Sequence, residues 1–163
     1  TTYLVCTDIN RNVLGVSRLI PTTVRCMLAD HWPHALFSPE EVVSPHVWEG
    51  TRFCVDKRLS PHVRKKVAQE LCASYLEYGL SNGIQKIVGL MYTFVLRNVF
   101  EKNGVRYSAI GDVTEASGYA RVQAAEMEIN LEQLINLRQA TGLGTVICED
   151  YECIVGRGVK NAA

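Results

Sequence analysis

Val47-Trp48-Glu49-Gly50-Thr51-Arg52-Phe53-Cys54-Val55-Asp56-Lys57 is the stretch from which the fold of this chain can be read. From about His46 to Val55 it reads as a strand. Side chains alternate along a strand, which predicts Glu49, Thr51 and Phe53 on one face and Trp48, Gly50 and Arg52 on the other. A carboxylate and a guanidinium inside an otherwise apolar strand must be solvated, paired or used. Two readings stay open at this level. Glu49 forms a structural ion pair, for instance with Arg18 of the preceding strand, or it is a general base beside a cation that orients a substrate. A base that takes a proton from an ammonium must be partly desolvated and near the nucleophile.

Upstream, Tyr3-Leu4-Val5-Cys6 and Val13-Leu14-Gly15-Val16-Ser17-Arg18-Leu19-Ile20 are apolar runs separated by the turn-forming residues 8–12, and Pro21 stops the second. This predicts a hairpin. Residues 26–40 are expected to be irregular or briefly helical. Downstream, Ser60-Pro61 is a helix start, Val63, Val67, Leu71, Tyr75 and Tyr78 follow at helical spacing, and Gly83 is a stop. A buried strand is expected over 87–92, a helix over 93–103 closed by Gly104, and strands over 105–110 and 120–129. Asn130 caps a last helix that ends at Gly142, and 145–148 reads as a short strand. The expected fold class is a single α/β domain, residues 1–163, with helices on both faces of a mixed, mostly antiparallel sheet.

Composition excludes several function classes. The 163 residues carry 17 basic and 17 acidic side chains, so no global charge suits nucleic acid. The apolar runs fall far short of the roughly 18 residues that span a bilayer, and the start Thr1-Thr2-Tyr3-Leu4-Val5 lacks a basic signal-peptide region. A soluble, cytoplasmic protein is the expectation. Cys6, Cys54 and Cys72 sit in apolar segments and read as buried free thiols. Cys148 and Cys153 lack histidine companions at zinc spacing, and His31, His34, His46 and His62 show no ligand pattern, so no metal is assigned.

Gly15-Val16-Ser17-Arg18-Leu19-Ile20-Pro21-Thr22-Thr23, then Met27-Leu28, then the 47–56 strand are similar to the signature of the acyl-homoserine lactone synthases, the LuxI-type autoinducer synthases. Those proteins carry a G-x-x-R-L-x-P-T strand end and a W-E-x-x-R-F-x-V-D strand at this separation. The resemblance implies a GNAT-like acyltransferase fold. It further implies transfer of an acyl group from acyl carrier protein or acyl-CoA to the amine of S-adenosylmethionine. Lactone closure with release of methylthioadenosine would follow, yielding a quorum-sensing signal with no cofactor beyond these substrates. Glu49 then matches the family's proposed base, and Arg52, with Arg18, the arginines that shape the site and position the polar substrate. Arg18, Phe53, Trp48 and Thr22 match residues that shape the polar substrate's site. Backbone amides of the same strand would stabilise the tetrahedral oxyanion.

Two further groups each carry a functional and a bland reading. Leu90, Tyr92, Thr93, Leu96 and Phe100 are either an acyl slot or plain core. Lys57, Arg58, Arg64, Lys65 and Lys66 are either a solvated helix face or a site for a phosphopantetheine phosphate and an acidic carrier protein. The glycine-rich pyrophosphate loop of general acetyltransferases is not evident. Family members usually bear a further segment before the strand begun by Tyr3, with residues that close over S-adenosylmethionine. The expectation is therefore a fragment of a longer product, N-terminally incomplete. Another GNAT-type acyl-CoA N-acyltransferase, or a non-catalytic relic that binds only donor or carrier protein, are the alternatives. Acyl length and oligomeric state stay open.

Overall fold

The structure, a computed structural model, describes residues 1–116 and 120–147. In chain order its elements are β1 (Thr2–Thr7), β2 (Val13–Pro21), α1 (Met27–His31), β3 (Val47–Val55), α2 (Pro61–Ser81) and β4 (Lys86–Tyr92). These are followed by α3 (Thr93–Val95), β5 (Ser108–Ala109), β6 (Thr114–Glu115), β7 (Arg121–Glu128) and α4 (Leu131–Thr141). The strands form one sheet in the order β1-β2-β3-β4-β7-β5, with β6 also on β7. Every pairing described is antiparallel except β3 with β4. In the β1–β2 loop, Asp8 accepts from the backbone N–H groups of Asn10 and Asn12 at 2.8 and 2.9 Å.

Helix α2 begins where Ser60 Oγ accepts from the Val63 amide at 3.4 Å, with Pro61 at its first position. It ends before Gly83, which takes a left-handed φ of 66°. Its buried side, with Leu71, Cys72, Tyr75 and Leu76, covers one face of the sheet and meets Leu4, Leu19, Ile87 and Met127. α4 completes that layer: Asn130 Oδ1 accepts from the Gln133 amide at 2.9 Å, and Leu134 and Leu137 enter the same core. The opposite face carries only short turns. α1 and single 3-10 turns at Pro33–Ala35 and Pro39–Val42 lay Cys26, Leu28, Leu36 and Val42 on Val47, Val88 and Ala124. Helical segments thus lie on both faces, as expected.

Several expectations need correction. The 93–103 helix is one α-turn, then a π turn at Leu96–Phe100 and a 3-10 turn at Glu101–Asn103, closed by Gly104 at φ 80°. The 105–110 strand shrinks to β5, because Gln133 Oε1 takes the Arg106 amide at 2.7 Å and removes it from the ladder. No strand forms over 145–147. The buried Glu77 carboxylate accepts from the Val146 and Ile147 amides at 3.0 and 2.9 Å, and from Arg138 at 2.8 Å. Cys148 and Cys153 lie outside the described residues. Cys54 is exposed, whereas Cys72 is buried and Cys6 partly so, all three with free thiols.

The most consequential departure is in β3. Val16 pairs with Cys54 and Arg18 with Thr51, so the single residue Ser17 faces both Arg52 and Phe53. This is a β-bulge, with Arg52 in the left-handed region at φ 55°. The extra residue inverts the alternation beyond Thr51. Phe53 therefore packs with Tyr75 and Phe100 under α2, ring centroids 6.0 Å apart in each case, and not beside Glu49.

Candidate active site

Glu49 lies on the face covered by α1 and is 3% exposed. Its Oε2 accepts from the Met27 amide at 2.7 Å and its Oε1 from the Leu28 amide at 2.9 Å. Amides in a helix's first turn have no intrahelical partner, so the carboxylate supplies one from the strand beneath the helix. Burial pushes the carboxyl above its ordinary range, while the two amides and the nearby Arg18 cation oppose that push. Each oxygen keeps lone-pair capacity for a further donor, an amine or a water. The result is a poised, partly desolvated carboxylate.

Arg18 stands on the same face. Its Nε donates to Thr51 Oγ1 at 2.9 Å and an Nη contacts Met27 Sδ at 3.2 Å. The ion pair weighed from sequence is not among the salt bridges of the described residues; each partner is engaged elsewhere. Of the other residues assigned to this site, the structure brings none to Glu49's side chain. Trp48 points to the α2 face, edge-on to Tyr78 at 6.0 Å. Arg52 is exposed at the bulge, and Phe53 is under α2. Thr22 is buried, and its hydroxyl lies 2.8 Å from the Val47 carbonyl and 3.0 Å from the Ser44 amide, pinning the loop ahead of β3. Strict alternation misplaced Phe53. The Met27 and Leu28 amides had no sequence signal, because a five-residue helix capped by Cys26 has no recognisable start.

β3 and β4 pair through Val47–Lys86, Trp48–Ile87 and Glu49–Val88 and no further. Gly50 and Gly89 flank the point where they part, and a Cβ on Gly89 would lie 2.9 Å from the Gly50 carbonyl oxygen. Behind the parting is a small cavity of about 30 Å³, lined among others by Gly50, Tyr75, Met91, Leu96, Phe100 and Met127. Leu96 and Phe100, two of the five residues read as an acyl slot or plain core, line it. Leu90 does not, since it packs on the 26–42 layer of the other face. Tyr92 is exposed and stacks on Phe94, and Thr93 opens α3 outside the lining. Met91 and Met127 line the cavity instead.

Lys57, Arg58, Arg64, Lys65 and Lys66 gather near the start of α2, at the end of β3 towards which the gap opens. Arg58 is committed to Asp56 at 2.7 Å and holds that carboxyl down at about 2. Lys66 approaches Glu70 at 4.0 Å, and Lys65 and Lys66 line a groove with His62 and Arg11. Among the described residues, no group of three or more His, Cys, Asp or Glu is placed to hold a metal, and no helix is long and apolar enough to cross a membrane.

Comparison with known proteins places this geometry in a family. An acyl-homoserine-lactone synthase of Rhizobium etli is 36% identical over 109 residues, covering 64% of this chain and 49% of its own length. The solved CoA-dependent acyl-homoserine lactone synthase BjaI, with SAM and isopentyl-CoA, superposes with a TM-score of 0.73 at 26% identity, over 88% of this chain and 65% of that one. The AHL synthase LasI gives 0.74 at 26% identity, over 84% and 68%. This chain spans about half the length of the curated relatives it matches. The GNAT-like fold implied by the sequence is the one these structures share. With residues 1–137 matching the family model for autoinducer synthases, the chain belongs to the autoinducer synthase family.

Proposed function

We propose that the protein makes an acyl-homoserine lactone, and that this chain carries its acyl-transfer site. The amine nitrogen of S-adenosylmethionine attacks the thioester carbonyl of an acyl carrier protein or acyl-CoA donor. Glu49 takes the amine's proton, directly or through water, and the thiol leaves. The carboxylate of the N-acylated product then attacks its own γ-carbon, closing the lactone and displacing methylthioadenosine.

One observation carries this reading. A buried carboxylate with a raised pKa stands beside a guanidinium, at the point where two parallel strands part over an apolar cavity. Past Glu49 the β3 backbone is released from β4, which supplies donors to a thioester or its oxyanion. Arg18 offers positive charge to the amine substrate's carboxylate, and the exposed Arg52 is the nearer cation to the bulge. The basic cluster at α2 suits the phosphate of the pantetheine arm or an acidic carrier protein.

Mass spectrometry of extracts from cells expressing the full-length gene product tests the proposal, together with the purified protein supplied with S-adenosylmethionine and acyl thioesters. Acyl-homoserine lactones and methylthioadenosine are expected in equal amounts. Thioester consumption without either product refutes it.

A further inference from the structure

Behind the strand of Glu49 lie two hydroxyls that the transfer chemistry does not use. Ser17 is 0% exposed and Tyr75 1%. They are hydrogen-bonded to each other, and Ser17 Oγ also donates to the Thr51 carbonyl at 3.1 Å. Ser17 has a single proton. With that proton on the Thr51 carbonyl, the contact between the two hydroxyls requires Tyr75 to be the donor. One arrangement of the two protons makes both bonds, and it leaves the phenol oxygen with lone pairs and no free proton. Burial pushes the Tyr75 pKa up, so the phenol stays protonated.

That oxygen is placed on the acyl path. Tyr75 lines the cavity, and a Cβ on Gly50 would lie 2.9 Å from its hydroxyl. A chain held in this cavity with its thioester towards Glu49 has its first carbons nearest the Gly50 part of the lining, where this oxygen stands. The other polar residues of the lining are Tyr107 and Glu126, and Lys86 Nζ already engages both carboxylate oxygens of Glu126 at 2.8 and 3.0 Å. The cavity is also small, at about 30 Å³, against the roughly 150 Å³ that accepts a benzene in an engineered core. Its lining must give way to admit an acyl chain, and least for a short one.

We infer that Tyr75, fixed as an acceptor by Ser17, selects short acyl donors bearing a hydroxyl on the third carbon over donors bearing a keto group there. The inference rests on the function proposed above. A 3-hydroxyl donates to the phenol oxygen, whereas a 3-keto oxygen would face lone pairs and lose its partner.

The experiment is a competition. The full-length gene product receives S-adenosylmethionine and an equimolar mixture of butanoyl, 3-oxobutanoyl and both enantiomers of 3-hydroxybutanoyl thioester, and lactone ratios are read by mass spectrometry. Ratios within one reaction do not depend on how much of a variant is folded. The wild type should favour one 3-hydroxy product about fivefold over butanoyl and about tenfold or more over 3-oxo. Tyr75→Phe should bring the 3-hydroxy and butanoyl products to near parity. Ser17→Ala frees the phenol proton to point into the cavity and should swing selection towards 3-oxo. A wild type that favours 3-oxo or butanoyl, or ratios unmoved by Tyr75→Phe and Ser17→Ala, overturns the inference while the proposed function stands. Lactone from none of the donors overturns the function itself.

Discussion

Replacing Glu49 by glutamine keeps the side chain's shape but removes its charge and exchanges one acceptor for a donor. In the native protein both oxygens accept α1 amides, at 2.7 and 2.9 Å, on a residue that is 3% exposed. Glutamine's carbonyl can keep one of these bonds, while its NH₂ group faces the other amide, donor against donor. A hydrogen bond to a charged group contributes about 1.5–3 kcal/mol. Losing one and weakening the other should therefore cost about 2–3 kcal/mol, a fall in Tm of about 4–12 °C for a protein of this size. Turnover should fall further, by about 10²–10⁴-fold, if the carboxylate is the base. Thermal unfolding and single-turnover acyl transfer, normalised to folded protein, separate the two effects. Lower stability with wild-type turnover per folded molecule would show that Glu49 is only the anchor of α1. Unchanged stability would refute the geometry on which both arguments stand.

Because burial raises the Glu49 pKa, the base is ionised only at higher pH than an ordinary glutamate. The acid limb of kcat/KM should therefore rise with pH through a value above the usual 4.5, and a limb at or below that value excludes Glu49 as its source. Leu96→Ala enlarges the cavity and should move products towards longer acyl chains, at a stability cost of about 2–5 kcal/mol; lost stability with an unaltered product profile makes Leu96 core alone. Alanine at Arg58, Arg64 and Lys65 together should raise KM for acyl carrier protein and flatten its salt dependence, leaving KM for S-adenosylmethionine in place. Single exposed charges contribute little, so the triple variant is the informative one, and unchanged carrier-protein kinetics at low salt would show a solvated helix face.

Local chemistry made most of the fold legible. Ser60-Pro61, Gly83, Asn130 and Gly142 mark helix ends because caps and left-handed turns need those residue types. The β1–β2 hairpin and β3, β4 and β7 were readable from apolar runs between turn residues. What the sequence hid was set by tertiary contact. Arginine has no preference for a left-handed φ, so nothing local announces the bulge at Arg52. The helix after β4 winds through three geometries that share one apolar pattern. Gln133 removes Arg106 from a strand from 27 positions away. Glu49 and Arg18 were recognisable as unusual residues in a strand, but their partners were not. The Met27 and Leu28 amides come from a helix too short to signal, and Thr51 and Met27 engage Arg18 in place of an ion pair with Glu49.

The brief parallel pairing of β3 and β4 divides the sheet into two antiparallel leaves, β1–β2–β3 and β4–β7 with its short neighbours. Three residue pairs join them. α2 clamps both: a Cβ on Gly15 of the first leaf would lie 2.6 Å from a Val67 methyl, and one on Gly79 of α2 itself would lie 2.8 Å from Ile129, just after β7. A pivot of one leaf on the other would break no ladder bond within either leaf. The width of the slot is therefore governed by the seating of one helix, and a substitution on α2 far from Glu49 can act as a tuning screw on the reaction.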